Sequence, residues 1–390
     1  MKNVYAVVGA GRQGIAAAYD LAKFGEAEKI LLIDNDLKTL NSAKEKLELL
    51  TEEKIFIAEK GDVRKNEDIK NLLTGTSAII SCVPYYFNLE LTKTAIELGA
   101  NFCDLGGNTD VVKDQLSLND RAEAKNISVV PDCGMDPGLN ISFIENILHQ
   151  FDEIVSIKSY GAGLPQNPIP PWNYLSSFHL NGLTNEYYGK ALFLREGKIY
   201  DAACLEEREE LFFPDPIGNL EAAVTSGGLS TLPFDLEGKI NTLENKTLRY
   251  PGHWDQFKAY SMLGLFETEP VKIGDDEIIP RYFFHKLLEP NISAVKFEDI
   301  GIIKIFAEGI KNGKRLRYEL ELIERYDKAT GFTAMQKLTG WHASIISILS
   351  ANGEAVKGVV PVHKAVPGRK IIEEAKLRGF EIKESFTYAG

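Results

Sequence analysis

Short apolar runs recur through the first third of the chain, each followed by a glycine or polar turn and then by residues at helical spacing. Val4 to Val8 leads into Gly9-Ala10-Gly11-Arg12-Gln13-Gly14 and an alanine-rich stretch from Ile15 to Phe24. The same order returns with "KILLID", with "KIFIA" before a helix from Lys65 to Leu73, and with "SAIISCV" before a helix from Asn88 to Leu98. "NFCDL" before a helix from Val111 to Lys125 and then "ISVVP" complete the series. Continuous apolar runs, as opposed to alternation, mark strands buried on both faces, and strands alternating with helices build a parallel sheet. Six strands and their crossovers predict an α/β dinucleotide-binding domain of the Rossmann type over residues 1–138.

Beyond Leu139 that rhythm stops. Short strands, glycine-proline turns and amphipathic helices follow irregularly, and Ile300 to Glu324 alternates with period two about Lys311-Asn312-Gly313-Lys314, the pattern of a hairpin with an Asn-Gly turn. The expectation is an α+β domain over residues 139–330 that binds substrate and mediates dimerisation. Gly331 to Leu349 and Lys370 to Arg378 read as helices joined by "GVVPVHKAVPG". This C-terminal segment, 331–390, is expected to pack back on the first domain.

The turn after the first strand carries chemistry in its spacing. Gly9 permits the tight bend, Gly11 lets the backbone approach a pyrophosphate, and Gly14 lets the helix close on the strand, so that Arg12 and Gln13 open a helix whose N-terminus faces the phosphates. Asp34 ends the second run, twenty residues after Gly14, where an acid hydrogen-bonds ribose hydroxyls and repels a 2′-phosphate. Asn35 and Asp36 bring no arginine beside it, and Asp36 is the better placed to cap the helix from Leu37. NAD is the expected cofactor. Ligands bind beyond the carboxyl ends of such strands, so "SCVPYYFN", "DLGGNTD" and "PDCGMDPG" face the site. Asp62, Val63, Val83, Pro84, Cys133 and Gly134 are assigned to the cofactor as well.

Composition narrows the class of protein. The chain of 390 residues is 44% hydrophobic and 26% charged, ordinary for a globular protein. Its 56 acidic residues against 44 basic give a net charge of -12, spread along the chain, which disfavours nucleic acid and anionic lipid as partners. No apolar stretch approaches membrane-spanning length, and "MKNVYAVVGAG" reads as a strand and turn instead of a targeting segment, so a cytoplasmic location is expected. Cys82, Cys103, Cys133 and Cys204 lack the paired spacing of zinc sites and are too sparse for a disulfide framework. No metal is expected.

Several blocks in order, "VVGAGRQG", "VPYYFN", "DLGGN", "PDCGMDPG", "YGAGLP", "TSGGLSTLP", "TLRYPGH" and a late "VPG", resemble the saccharopine dehydrogenase superfamily. The chain looks like its lysine 6-dehydrogenase branch, with saccharopine reductase as the more distant relative. Asp34 resembles the NAD-using lysine dehydrogenases, whereas "MDPG" at Met135 to Gly138 is similar to the saccharopine reductases. The resemblance implies NAD-dependent oxidation of the side-chain amine of lysine to a semialdehyde that cyclises, in a homodimer or higher homo-oligomer. A saccharopine reductase and a non-catalytic nucleotide sensor are the rivals.

Such a reaction needs a proton-handling group and a grip on the amino acid's far end. Asp104, at a strand end, is the expected base, with Tyr85 as a second group. Their bland alternatives are a cap on the glycine turn and a wall of the pocket. A carboxylate calls for a fork-shaped cation, and Arg249 in "TLRYPGH", with His253, is the candidate. Gly161 and Gly163 in "YGAGLP", and Thr225 and Ser226 in "TSGGLSTLP", offer backbone donors and hydroxyls to the substrate. Asp136 before Pro137 reads as a cap and hinge into the second domain. His179, His285 and His342 read as packed core, and Trp172, Tyr174 and Phe178 as cleft wall or subunit contact. A saccharopine reductase would need two further carboxylate grips, for which Lys158, Arg195, Lys258, Arg281 and Lys286 are available.

Overall fold

The computed structural model describes residues 2–176, 179–293 and 297–388; Phe178 lies outside them. In the first domain β1 (Asn3–Val8), β2 (Ala27–Asp34), β3 (Phe56–Lys60), β4 (Ala78–Ser81), β5 (Asn101–Asp104) and β6 (Ser128–Val130) form a parallel sheet. The order is β3-β2-β1-β4-β5-β6, with Gly358–Val359 added in parallel beyond β6. Both faces are covered. Val7 belongs to one apolar core, and its neighbours Ala6 and Val8 to the core on the opposite face, as the period of two along a strand requires.

The helix Ala334–Ala351 is buried along nearly its whole length, its polar side chains such as His342 and Ser347 included. Thr333 and Gln336 form a capping box at its start, and Asp299 accepts from the amides of Ala334 (2.6 Å) and Met335 (3.0 Å). It packs against β4, β5 and the helix Arg12–Phe24. Gly340 makes that approach possible, since a Cβ there would stand 2.8 Å from the carbonyl oxygen of Gln13.

The second domain is built on a mixed sheet of nine strands. From one edge these are Glu209–Phe213, Gly218–Val224, Thr242–Arg249, Glu153–Pro165, Asp299–Lys311, Lys314–Arg325 and Ile382–Tyr388, with Lys190–Arg195 and Lys198–Ala203 branching from Thr242–Arg249. Thr242–Arg249 runs parallel to Glu153–Pro165, and the remaining pairings are antiparallel. The hairpin turns at Asn312 (φ 52°) and Gly313 (φ 74°), both left-handed as a type I′ turn demands.

Three details depart from the sequence reading. The stretch Val111–Lys125 is two helices, Thr109–Leu116 and Asn119–Ala124; Ser117 breaks it, its Oγ donating to the carbonyl of Asp114 at 2.6 Å. The first sheet has a seventh strand. The C-terminal segment does return to the first domain, but it then crosses over, and Ile382–Tyr388 pairs with Lys314–Arg325 at the edge of the second sheet. No helix among the described residues is long and apolar enough to cross a membrane.

Candidate active site

A cleft of about 920 Å³ opens where the loops after β1, β4, β5 and β6 meet the second sheet. Hydrogen bonds cross it: Asn185 Nδ2 donates to Gly107 O (3.2 Å), Asn140 Nδ2 to Gly228 O (2.9 Å), and Arg12 Nη1 to Ser176 O (3.0 Å). Ser230 Oγ also donates to Asp132. The two walls are therefore held in register before any ligand arrives.

The first wall fits a dinucleotide. A Cβ at Gly14 would overlap the carbonyl of Gly9, whereas one at Gly11 would meet nothing within 4 Å, leaving room over the helix N-terminus for a pyrophosphate. Gly11, Arg12, Gln13, Val83, Pro84, Tyr85 and Gly134 line the cleft. Gly9 and Gly14 act behind it, in the turn. Asp34 is fixed at the tip of β2, accepting from Ala10 N (2.9 Å) and Asp36 N (3.0 Å), while Asp36 caps the next helix through Lys38 and Thr39.

Asp62 lines a second cavity with Asn35, Lys60, Arg64 and Lys65, beside the tip of β2 that carries Asp34. Its carboxylate takes Arg64 on both oxygens, at 2.8 Å from Nε and 2.6 Å from Nη2, which holds Asp62 down at about 2. Val63 lines neither cavity. The fold thus brings an arginine toward Asn35 that a scan of chain neighbours could not find.

Asp104 does not reach the cleft. It is fully buried, and its Oδ1 accepts from Gly106 N (2.8 Å) and Asp132 N (3.2 Å) while Oδ2 accepts from Gln115 Nε2 (2.7 Å). Burial raises its pKa against those three bonds. The residue anchors the turn, and the expectation of a base there is corrected. Cys133 is corrected likewise: it is fully buried, its Sγ donates to Val130 O (3.3 Å), and only its neighbour Gly134 lines the cleft. Behind this loop His342 places Nδ1 at 3.0 and 2.9 Å from the carbonyls of Cys133 and Gly134. Its pKa falls to about 4 by burial, so a neutral imidazole pins the loop.

Asp136 faces the site instead. Its Oδ1 accepts from Asn140 Nδ2 (2.8 Å) and its Oδ2 from Asn245 Nδ2 (3.3 Å). The carboxylate fills the space left by two missing side chains: a Cβ at Gly161 would overlap Oδ2, and one at Gly228 would lie 2.6 Å from Oδ1. Desolvation pushes Asp136 up to about 7, against the bond from Asn245. It was read as a helix cap, yet the cap position of Leu139–Leu148 is Gly138. Glu186, at the end of the helix Leu180–Glu186, also lines the cleft and is raised to about 8 by desolvation, opposed by Arg249 and reinforced by Asp136. Nothing in its local sequence singled it out.

Arg249 is 3% exposed and lines the cleft. Its Nε donates to Tyr187 Oη (2.9 Å) and Nη1 to Leu248 O (3.0 Å), and its guanidinium carbon sits 5.0 Å from the ring of Tyr174 and 5.9 Å from those of Tyr187 and Trp254. Among the described residues it has no carboxylate partner. His253 is not a contact of the cleft but a support: fully buried, stacked on Phe257 at 4.3 Å, it lies 3.0 Å from the same Tyr187 hydroxyl. Gly161, Gly163, Thr225 and Ser226 line the cleft, where Thr225 pairs with Thr247 (2.7 Å) and Ser226 Oγ donates to Asn185 O (2.9 Å). Tyr85 lines it too, with Gly107 packed against its ring.

Comparison with known proteins agrees with this architecture. The yeast (Saccharomyces cerevisiae) apo saccharopine dehydrogenase (L-Glu forming) superposes with a TM-score of 0.78, covering 99% of this chain and 100% of that one at 17% identity, a likeness of fold. The Arabidopsis thaliana alpha-aminoadipic semialdehyde synthase is 23% identical over 241 residues, 54% of this chain and 21% of that protein. The S. cerevisiae saccharopine dehydrogenase [NADP(+), L-glutamate-forming] is 22% identical over 244 residues, 54% of this chain and 49% of its own. The matched segment thus spans half or less of these curated relatives. Residues 5–130 match the saccharopine dehydrogenase NADP binding domain and residues 131–379 the saccharopine dehydrogenase C-terminal domain, so the chain belongs to the saccharopine dehydrogenase family.

Proposed function

We propose that the protein is a dehydrogenase of the side-chain amine of L-lysine, with NAD as its preferred dinucleotide. The observation that carries this reading is Arg249, a buried cation lining the cleft without a carboxylate partner among the described residues, beside two acids of raised pKa. Arg12, Lys113 and Lys190 also line the cleft, but Lys113 pairs with Asp110 and Lys190 with Asp201, and Arg249 with Asp136 and Glu186 suits a substrate with one carboxylate and two amines. Lys158, Arg195, Lys258, Arg281 and Lys286, available for further carboxylates, do not line the cleft, and Lys158, Arg195 and Lys258 are already paired with Glu244, Glu207 and Glu206.

Gly11, Arg12, Gln13 and Asp34 would hold the dinucleotide, which when bound supplies the hydride acceptor. Asp136 then takes a proton from the substrate amine, or from the water that hydrolyses the imine, at a pKa near neutrality where a base works best. Asn140 and Asn245 orient it, and Tyr85 walls the pocket. Asp34 supports NAD, and Arg64, in the cavity beside Asn35, is already claimed by Asp62.

Saccharopine with NADP is the second reading. It is favoured by the family to which the chain belongs and by Lys60 and Lys65 in the cavity beside Asn35. The test is absorbance of the reduced dinucleotide with lysine, ornithine and saccharopine, each with NAD and with NADP. Lysine with NAD is expected to turn over fastest; turnover of saccharopine alone would move the assignment to the second reading.

A further inference from the structure

Glu186 and Arg249 line the same cleft, carry opposite charges when ionised, and form no ion pair with each other. The arrangement is uneconomical for a folded chain by itself. Burying a guanidinium without a counter-ion is costly, and a nearby acid ordinarily closes on it. Here the Arg249 side chain is not free to close. Arg249 is held by the Tyr187 hydroxyl at 2.9 Å and by Leu248 O at 3.0 Å, among the rings of Tyr174, Tyr187 and Trp254. The backbone of Glu186 is held by Ser226 N, which donates to its carbonyl at 2.8 Å. Among the described residues no donor reaches the Glu186 carboxylate, although Arg249 lies close enough to pull on its charge.

A fixed cation and an unpartnered acid lining one cleft match a group that carries both charges on substituents of one carbon. We propose that Glu186 and Arg249 together form the head-group site for an α-amino acid zwitterion, with Arg249 taking the α-carboxylate, Glu186 taking the α-ammonium, and Asp136 left for the amine at the far end. Glu186 is then a specificity residue. It separates α-amino acids from simple carboxylic acids and from ω-amino acids, which a lone arginine cannot do. The inference rests on the amino-acid dehydrogenase reading, yet its test need not.

Norleucine carries the head group of lysine without the reacting amine, and hexanoate carries the carboxylate alone. Calorimetric titration of the full chain, with NAD or NADP present, measures both. Norleucine is expected to bind more tightly than hexanoate. Glu186→Gln should weaken norleucine roughly tenfold to a hundredfold, the worth of one charge-assisted hydrogen bond, and leave hexanoate unchanged. Glu186→Asp, which keeps the charge on a shorter stem, should lose less. Arg249→Gln should weaken both ligands. Equal norleucine affinity in the parent, Glu186→Gln and Glu186→Asp chains overturns the head-group site, as does failure of the parent to bind norleucine. The two readings fail separately. Glu186-dependent binding of norleucine without lysine oxidation retires the dehydrogenase assignment alone, and lysine oxidation with Glu186-independent binding retires the head-group site alone.

Discussion

Asp104 and Asp136 are both withdrawn from water, and they differ in what their oxygens have left to do. Asp104 spends both on fixed donors, whereas Asp136 keeps an edge toward the cleft. Asp136→Asn should therefore cut turnover by roughly two to four powers of ten. In the parent, kcat/KM for oxidation should rise with pH through about 7 as Asp136 loses its proton, and that limb should vanish in the variant. Stability carries the opposite sign. Between the ordinary carboxyl value of 3.8 and about 7 only the folded chain holds the Asp136 proton, so its contribution to stability declines as pH rises through that window and levels off above it. Thermal melts should show Asp136→Asn gaining on the parent between pH 4 and 8. Asp104→Ala instead orphans the amides of Gly106 and Asp132, at about 1–3 kcal/mol for each buried donor. It should lower the urea midpoint while the folded fraction keeps its turnover. Sequence placed both aspartates near the site and took Asp104 for the base and Asp136 for a cap, because a turn anchor and a base use the same residue type at a strand end. What separates them is the pair of glycines, Gly161 and Gly228, that make room for Asp136 from a distant part of the chain.

Elements were legible where their signal is local. The glycine turn, the strand-end acid Asp34 and the Asn312-Gly313 hairpin each declare themselves within a few residues, and each is found where its pattern put it. Asp34→Ala should narrow the preference between NAD and NADP by removing ribose bonds and repulsion together, measured as the ratio of the two dissociation constants. An unaltered ratio would transfer cofactor choice to Lys60, Arg64 and Lys65. The elements that escaped notice are those whose evidence is tertiary. Gly358–Val359 is two residues long and becomes a strand only because β6 has an open edge. Ile382–Tyr388 buries little beyond Ile382, so its alternation carries no apolar face to read.

For the molecule as a whole, the last stretch of chain joins the two sheets. After Gly358–Val359 the chain passes through the helix Gly368–Leu377, where Arg378 meets Asp20 at 2.8 Å with both side chains buried, and ends as the outer strand of the second sheet. Deleting residues 382–388 should bare the edge of Lys314–Arg325 and the side chains Leu316, Tyr318, Leu320 and Leu322 beneath it. The expected result is a lower urea midpoint with concentration-dependent aggregation, followed by light scattering. The same crossing has a consequence for biosynthesis. In synthesis from the N-terminus the first sheet lacks its outer strand until residues 358–359 have emerged, and the second lacks one until residues 382–388 have. The nascent chain thus carries an open, adhesive edge at Lys314–Arg325 until Ile382–Tyr388 has been made, and its yield in a cell should depend on holdase chaperones during that interval more than on the intrinsic stability of either sheet.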